Sequence, residues 1–221
     1  MQPIAVIYND YTEKFGVPRQ SGLVPSVMSE IIFEPTYRNP DALRGLEDFS
    51  HLWLLWEFSK SARNHWSPTV RPPRLGGNQR MGVFATRSPF RPNAIGLSCV
   101  KLEKIVLHGK NAPVIYVSGA DLMNGTPILD IKPYLPYADC KPDATGGFTD
   151  STARKQLQVE CPESVLSKIP SEKQQALLEI LAQDPRPSYQ NDPDKIYGMK
   201  YADRDVKFQV CNDILIVIDI T

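Results

Sequence analysis

The chain has 221 residues, of which 25 are Lys or Arg and 25 are Asp or Glu, so its formal net charge is zero. At this length roughly 70% of the surface of the unfolded chain can be buried on folding, which predicts a substantial core. No apolar run approaches the roughly 20 residues of a membrane-spanning helix, and the N-terminus lacks the basic and then apolar layout of a signal peptide. We therefore expect a soluble, cytoplasmic protein with no membrane partner.

The charge is distributed unevenly along the chain. Residues 58–102 contain no Asp or Glu, whereas an even distribution would place about five there. This segment is called the arginine segment below, and its eight basic residues are Lys60, Arg63, Arg71, Arg74, Arg80, Arg87, Arg91 and Lys101. The rest of the chain has 17 basic and 25 acidic residues, so a formal charge of +8 is balanced by −8 elsewhere. The segment is either a solvated basic face or a local site for an anion, and we favour a site because guanidinium groups suit phosphate and carboxylate.

Short apolar stretches predict that the first 142 residues are mostly β. Alternation predicts strands at residues 4–8 and 29–33, and the short, almost continuously apolar run 51–58 predicts a strand buried on both faces. Residues 59–82, rich in Pro, Arg, Gly and Asn, predict a long irregular loop of a kind that is usually functional. Further strands are expected at 81–86, 97–106, 114–117 and 128–131. A barrel or sandwich is the expected class for residues 1–142.

The composition then changes, which predicts a second unit. Residues 143–160 are largely small and polar and are expected to form a linker or an exposed excursion. A capping box at 171–174 and an apolar stripe of three leucines predict a helix over 171–182. Alternation at 206–210 and 214–220 around Asn212-Asp213 predicts a β-hairpin. Residues 161–221 are therefore expected to form a small α+β tail.

Three segments, at 14–22, 87–98 and 121–134, combine Arg, Asn and Gly with prolines that fix the backbone, as ligand-binding loops do. The glycine-rich fingerprints of Rossmann and P-loop sites and the GxSxG of hydrolases are absent. The four cysteines and three histidines lack metal-ligand spacing, so no metal is expected. A cofactor would need a different architecture.

Four stretches together resemble one known family: KFGVPRQSGL at 14–23, the block 73–98, NGTPILDIKPYLPYAD at 124–139 and DPRPSY at 184–189. They closely resemble the TrmO (TsaA-like) family of tRNA methyltransferases, and the likeness runs through most of the chain. The resemblance implies S-adenosylmethionine as cofactor and the N6 atom of threonylcarbamoyladenosine, next to the anticodon of tRNA, as methyl acceptor. It also implies a single-sheet β-barrel that forms a homodimer and binds the cofactor near the dimer interface.

The resemblance also implies a set of cofactor contacts. In this chain they fall on Pro18, Arg19, Gln20, Ser59, Lys60, Arg87, Leu97, Asn124, Gly125, Thr126 and Pro127. The last turn usually opens with Asp in relatives, whereas here it opens with Asn124, which favours a backbone contact over a charged one. Arg63, Arg71, Arg74 and Arg80 are expected to hold tRNA phosphates. The α+β tail of residues 161–221, called the C-terminal module below, is a further candidate for contact with tRNA.

The chemistry of methyl transfer suggests three catalytic candidates. The acceptor nitrogen is urea-like and still carries a proton, so a nearby base would help. Asp130 is the first candidate and Asp139 the second, although Asp130 has the alternative role of counter-ion to Lys132 or to an arginine. Tyr134 or Tyr137 is suited to stack on the extruded base, and Arg91 or Lys132 to pair with the threonyl carboxylate.

Two alternatives remain from the residues alone. One is a non-catalytic RNA-binding module that uses only the arginine segment. The other is a methyltransferase of the same fold that acts on a small anionic acceptor, with the arginines binding the anionic groups of that acceptor.

Overall fold

The structure of the chain is a computed structural model that describes residues 1–61, 66–152, 156–186 and 192–221, and at Arg74 the backbone. Eight strands precede residue 134: β1 (Ala5–Tyr8), β2 (Met28–Phe33), β3 (His51–Glu57), β4 (Thr69–Val70), β5 (Met81–Gly82), β6 (Ile95–Val106), β7 (Val114–Ser118) and β8 (Thr126–Pro133). Six of them form a closed barrel in the order β1-β2-β7-β6-β3-β8, with every neighbouring pair antiparallel. The mainly β prediction with a single-sheet barrel is confirmed.

The barrel interior is filled by the alternate residues of each strand. Ile7 of β1, Leu52 and Leu54 of β3 and Ile115 of β7 are fully buried there. The outward residues of β3, such as Trp53, are only half-buried. The prediction that β3 is buried on both faces is therefore wrong for the single chain, because an antiparallel barrel encloses one face of each strand and leaves the other outside.

The segment between β3 and β6 has more structure than the sequence predicts. Strands β4 and β5 pair as a two-stranded sheet, which we call the β4–β5 hairpin, and 3₁₀ turns lie at Pro73–Leu75 and Val83–Ala85. The expected strand 81–86 thus ends after Gly82, because the chain turns to bury Val83 while Phe84 points to solvent. Other short helices are Pro35–Tyr37, Pro40–Leu43, Leu46–Asp48, Gly147–Thr149 and α1 (Pro136–Asp139).

The C-terminal module contains β9 (Gln158–Glu160), α2 (Glu163–Leu166), α3 (Ser171–Ala182), β10 (Tyr197–Tyr201), β11 (Arg204–Cys211) and β12 (Ile214–Ile220). Its sheet has the order β10-β11-β12-β9, with β9 parallel to β12. The predicted helix and hairpin are confirmed. The capping box is wrong, because Pro170 occupies the cap position and the Ser171 side chain makes no capping bond. Strands β9 and β10 were not predicted.

The loop between β1 and β2, residues 9–27, joins the two parts of the molecule and is called the β1–β2 loop below. Its Tyr11, Val24 and Val27 are buried in the core of the C-terminal module, together with Leu177 of α3 and Phe208 of β11. The barrel and the C-terminal module therefore have separate cores, and the β1–β2 loop leaves the barrel to complete the second one.

Candidate functional site

A cavity of about 420 Å³ opens at one end of the barrel. Its walls come from the β1–β2 loop, the end of β3, residues 86–91, the start of β6 and the segment that enters β8. Nine residues singled out in the sequence line it: Pro18, Arg19, Gln20, Ser59, Lys60, Arg87, Arg91, Leu97 and Thr126. The fold thus gathers residues that are more than 100 positions apart into one site.

Side-chain bonds tie the cavity walls to one another. Arg87 donates from Nη1 to Oε1 of Gln20 at 2.5 Å, which joins the arginine segment to the β1–β2 loop. Lys14 donates from Nζ to the carbonyl of Lys60 at 2.9 Å and makes a second link between the same two segments. These bonds set the relative positions of three of the predicted cofactor-binding residues.

The turn before β8 shapes the wall through its backbone. The Asn124 carbonyl accepts a bond from Lys60 Nζ at 3.1 Å, while its side-chain Oδ1 accepts from the Asn9 backbone N–H, also at 3.1 Å. Gly125 has a φ of 77° and donates its N–H to the Ile7 carbonyl, and Pro127 pairs with Val6 in the barrel. The lining of the cavity includes Thr126 but none of Asn124, Gly125 and Pro127.

The floor of the cavity is aromatic. Trp56, whose ring centroid lies 4.2 Å from that of Phe58, pairs across the sheet with Gly96. A Cβ atom at position 96 would lie 2.2 Å from the Trp56 ring, so only glycine lets the indole occupy this position. Trp56, Phe58 and Gly96 together give the cavity an apolar floor, in which the two ring planes are tilted by 57°.

The cavity wall contains two acidic residues that were not proposed from the sequence, Glu57 and Asp121, and Asp121 is tied into it by hydrogen bonds. Ser98 donates from Oγ to Oδ1 of Asp121 at 2.5 Å, and Trp56 donates from Nε1 to the same Oγ at 3.0 Å. Burial raises the pKa of the Asp121 carboxyl above its usual range, while the bond from Ser98 and the charge of Arg87 act in the opposite direction. The available signal was an acid in the otherwise small and apolar run SGADL.

The three catalytic candidates lie outside this cavity. Asp130 is on β8, with Oδ2 at 3.0 Å from Lys132 Nζ, which is the counter-ion arrangement considered as its alternative role. Asp139 accepts bonds at Oδ2 from Trp53 Nε1 at 3.0 Å and from the Leu135 backbone N–H at 2.8 Å. These bonds lower the pKa of Asp139, and the bond from Leu135 has the largest effect.

Tyr134 lies beside the same exterior surface. Its ring centroid is 5.8 Å from that of Trp53 and 6.2 Å from that of His51. Trp53 pairs with Lys132 on one side and Cys99 on the other, and the next row joins Asp130, Leu55 and Leu97. Leu97 also lines the cavity, so this exterior face of β8, β3 and β6 continues to the cavity mouth.

The predicted tRNA-binding residues are spread around the arginine segment. Arg91 lines the cavity and donates from Nη1 to the carbonyls of Thr86 and Ser88, so part of its guanidinium holds its own loop. Arg71 lines a second cavity, of about 480 Å³, and Arg80 donates to Thr69 Oγ1 at 3.3 Å. Arg74 is in the Pro73–Leu75 turn, and Arg63 lies outside the described residues.

Two absences hold for residues 1–61, 66–152, 156–186 and 192–221. Among them, no helix combines the length and apolar character needed to cross a membrane. The same residues contain no group of three or more His, Cys, Asp or Glu side chains arranged to hold a metal ion.

Comparison with known proteins gives matches along most of the chain. A family model described as the tRNA-methyltransferase O N-terminal domain matches residues 6–140, and one described as the TrmO C-terminal domain matches residues 154–221. The chain is 46% identical over 217 residues to a tRNA (adenine(37)-N6)-methyltransferase of Escherichia coli K12, covering 95% of this chain and 92% of that protein. It is 40% identical over 229 residues to a putative S-adenosylmethionine-dependent methyltransferase, RcsF, of Pseudomonas aeruginosa, covering 100% and 96%. A crystal structure of TrmO superposes with a TM-score of 0.81 at 35% identity, covering 99% of this chain and 97% of that one.

Proposed function

Because the chain belongs to the TrmO family of tRNA methyltransferases, we propose that it transfers a methyl group from S-adenosylmethionine to the N6 atom of the adenine at position 37 of tRNA. The observation that carries the proposal is the cavity at the barrel end. Eight of the eleven residues predicted as cofactor contacts line it, and the fold brings those eight together from five separate segments.

The cavity suits the chemical groups of S-adenosylmethionine. Trp56 and Phe58 offer an aromatic, apolar surface for an adenosine, and Arg19 and Arg87 offer cations for a carboxylate. Asp121 and Glu57 are the carboxylates of the lining, and they complement a sulfonium and an ammonium group. When bound there, the cofactor supplies an electrophilic methyl group on sulfur.

The role of the chain in this reaction is mainly alignment. In-line displacement requires the methyl donor and the acceptor atom to be close together and aligned. Holding them in that geometry supplies much of the acceleration in such reactions. The Arg87–Gln20 and Lys14–Lys60 bonds hold the cavity walls at a set spacing.

We place the catalytic candidates on a dimer surface. The exterior face of β3, β6 and β8 carries the half-buried Trp53 and Leu55 and the exposed Leu97, and it reaches the cavity mouth. A second copy docked on this face would bring Asp130, Tyr134 and Asp139 close to a cavity. Sedimentation at increasing concentration tests this, and a protein that is monomeric and fully active would contradict it.

We also propose a specific modified nucleotide as the substrate and the cytoplasm as the place of action. The substrate is threonylcarbamoyladenosine at position 37, with Arg91 or Lys132 facing the threonyl carboxylate and Arg71 and Arg80 facing phosphates. The enzyme acts in the cytoplasm, where tRNA is modified. The position of Arg91 supports threonylcarbamoyladenosine as the substrate, because its basic side chain lines the cavity where a carboxylate could bind. Its Nη1 is engaged with the loop.

Calorimetry and methyl transfer test the function in two steps. S-adenosylmethionine should bind the purified protein, and label from it should enter tRNA that carries adenine at position 37 and not tRNA that carries guanine there. Absence of cofactor binding would favour the non-catalytic RNA-binding module. Cofactor binding with label transferred only to small acceptors would favour the second alternative.

Asp130→Asn tests the proposed base. Loss of the carboxylate should lower turnover about 100-fold while the affinity for S-adenosylmethionine stays within about twofold, because Asp130 lies outside the cofactor cavity. The matched control is Asp219→Asn, which removes a similar surface ion pair with Lys168 in the C-terminal module. Unchanged turnover in Asp130→Asn would remove this residue from the mechanism.

A further inference from the structure

Two large aromatic side chains lie exposed beside each other in the arginine segment. Trp66 is 51% exposed and Phe84 is 72% exposed. Their ring centroids are 6.3 Å apart and the ring planes differ by 24°, so the two rings are nearly parallel. Burial in the core would give each ring far more apolar contact, and neither the Trp66 nor the Phe84 side chain belongs to a buried cluster.

The backbone beneath the pair is held by local bonds. Trp66 directly precedes Ser67, whose Oγ donates to the Thr69 carbonyl at 2.6 Å. Val83, beside Phe84, donates its N–H to the Pro68 carbonyl at 3.0 Å and buries its side chain. The β4–β5 hairpin connects the two sites in the chain, so Trp66 and Phe84 project from one supported base.

The surroundings of the pair are basic. Arg80 is exposed on the β4–β5 hairpin, and Arg87, three residues after Phe84, lines the cofactor cavity. No acidic residue occurs anywhere in positions 58–102. An exposed aromatic pair within a segment that carries cations and no acids is the combination that binds single-stranded nucleic acid, since the rings stack on bases and the cations hold phosphates.

We propose that Trp66 and Phe84 form a stacking platform for an unpaired base of the tRNA that lies next to the methylated adenine. This inference rests on the proposed function, because it takes a tRNA loop as the occupant. Loop bases of RNA are splayed out and stack on aromatic side chains when a protein engages them. Arg87 lines the cavity and follows Phe84 by three residues, so the platform is close to the cavity in sequence.

Indole fluorescence gives a direct test, since a stacked base quenches the ring beneath it. Addition of tRNA to the full-length protein should quench emission, and Trp66→Phe should lose most of that quench while the tRNA affinity stays within about twofold. The double variant Trp66→Ala, Phe84→Ala should bind tRNA about tenfold more weakly or worse, with the melting temperature and cofactor affinity unchanged. Tyr37→Ala, which removes an aromatic ring that is 38% exposed and outside the arginine segment, is the matched control.

Salt dependence separates stacking from phosphate contact. The double alanine variant should keep the slope of log affinity against log salt, whereas Arg71→Glu with Arg80→Glu should reduce it. Normal tRNA affinity in the double alanine variant, or an unchanged quench in Trp66→Phe, would overturn the proposal. A shift from dimer to monomer in the double variant would also overturn it, because the pair would then be a subunit contact.

The two proposals fail separately. Wild-type protein that binds tRNA with a Trp66-dependent quench but transfers no methyl group would remove the proposed activity and leave the platform. Wild-type protein that methylates tRNA without such a quench would remove the platform and leave the activity.

Discussion

The two sides of the cavity are built in different ways. On one side, the β1–β2 loop is fastened to the C-terminal module: Lys173 pairs with Asp10 at 2.8 Å, and Glu179 accepts bonds from the N–H and Oγ of Ser26. On the other side, residues 66–94 of the arginine segment are held mostly by bonds within that stretch, such as those from Arg91 to two carbonyls of its own loop. It also leaves large aromatic rings in solvent.

This difference suggests a division of work. The β1–β2 loop carries predicted cofactor contacts and is fixed in advance by burial, which reduces the entropy lost when a small ligand binds. The arginine segment depends on charge and exposed rings, which gain their contacts only when a large anionic partner arrives. Variants that change the packing or bonding of the cavity walls, each with a matched control, test this division.

Gly96→Ala should have the largest effect. The new methyl group would overlap the Trp56 ring, so the floor of the cavity must move, at a cost of about 1–3 kcal/mol in the free energy of unfolding. Thermal unfolding and cofactor calorimetry check this, and both should show a loss. The control, Gly82→Ala in the arginine segment, meets no atom within 4 Å and should change neither quantity. Equal effects of the two substitutions would contradict the close packing of the Trp56 ring against Gly96.

Glu179→Ala should have an intermediate effect. It removes two hydrogen bonds that α3 makes to the β1–β2 loop, for a loss of about 1–2 kcal/mol in unfolding free energy and a several-fold weaker affinity for S-adenosylmethionine. Denaturant unfolding and calorimetry provide the two readouts. Glu172→Ala, at an exposed position of the same helix, is the control. Weaker tRNA binding with unchanged cofactor affinity would show that the C-terminal module does not position the cofactor side.

Asp121→Asn should have the smallest effect on stability. It should raise the free energy of unfolding, whereas the two preceding substitutions lower it. The folded-state pKa of Asp121 is raised by burial, so the folded protein holds this proton in a pH range in which the unfolded chain has released it. Lowering the pH through that range therefore favours the folded state, and above it the buried charge has its full cost. The amide removes that cost, so at pH 7 the melting temperature should rise by a few degrees.

The same variant should bind S-adenosylmethionine more weakly, because a charge that complements the cationic cofactor is lost. Unfolding curves measured between about pH 4 and pH 8 cover the range in which a carboxyl group with a raised pKa titrates. On acidification through this range, the free energy of unfolding should increase less in the variant than in the wild type. Asp205→Asn, at an exposed position of β11, is the control. A variant that is less stable at pH 7 and binds the cofactor normally would contradict the role given to Asp121.

The barrel strands, α3 and the C-terminal hairpin were predictable because their apolar periodicity is local. Strand β9 was not, since three residues gain strand character only by pairing with β12, more than 50 positions away. The exterior of β3 was also misjudged, because apolar composition does not distinguish a second buried face from one that stays half-exposed in the single chain.

Most of the predicted cofactor contacts follow from motifs that are long and unusual, and eight of the eleven predicted residues line the cavity. Asp121 was missed because its role depends on burial and on the bond from Ser98, 23 positions before it. Trp66 and Phe84 were missed for the opposite reason, since exposure of an aromatic ring cannot be read from a loop sequence. In both cases the informative property is the environment of the side chain.

Mass spectrometry of tRNA nucleosides after incubation with the protein and labelled S-adenosylmethionine tests the central claim most directly. The account predicts one labelled methyl group per tRNA, on the N6 atom of threonylcarbamoyladenosine at position 37. Cofactor binding together with unlabelled tRNA, or a label on any other nucleoside, would contradict it.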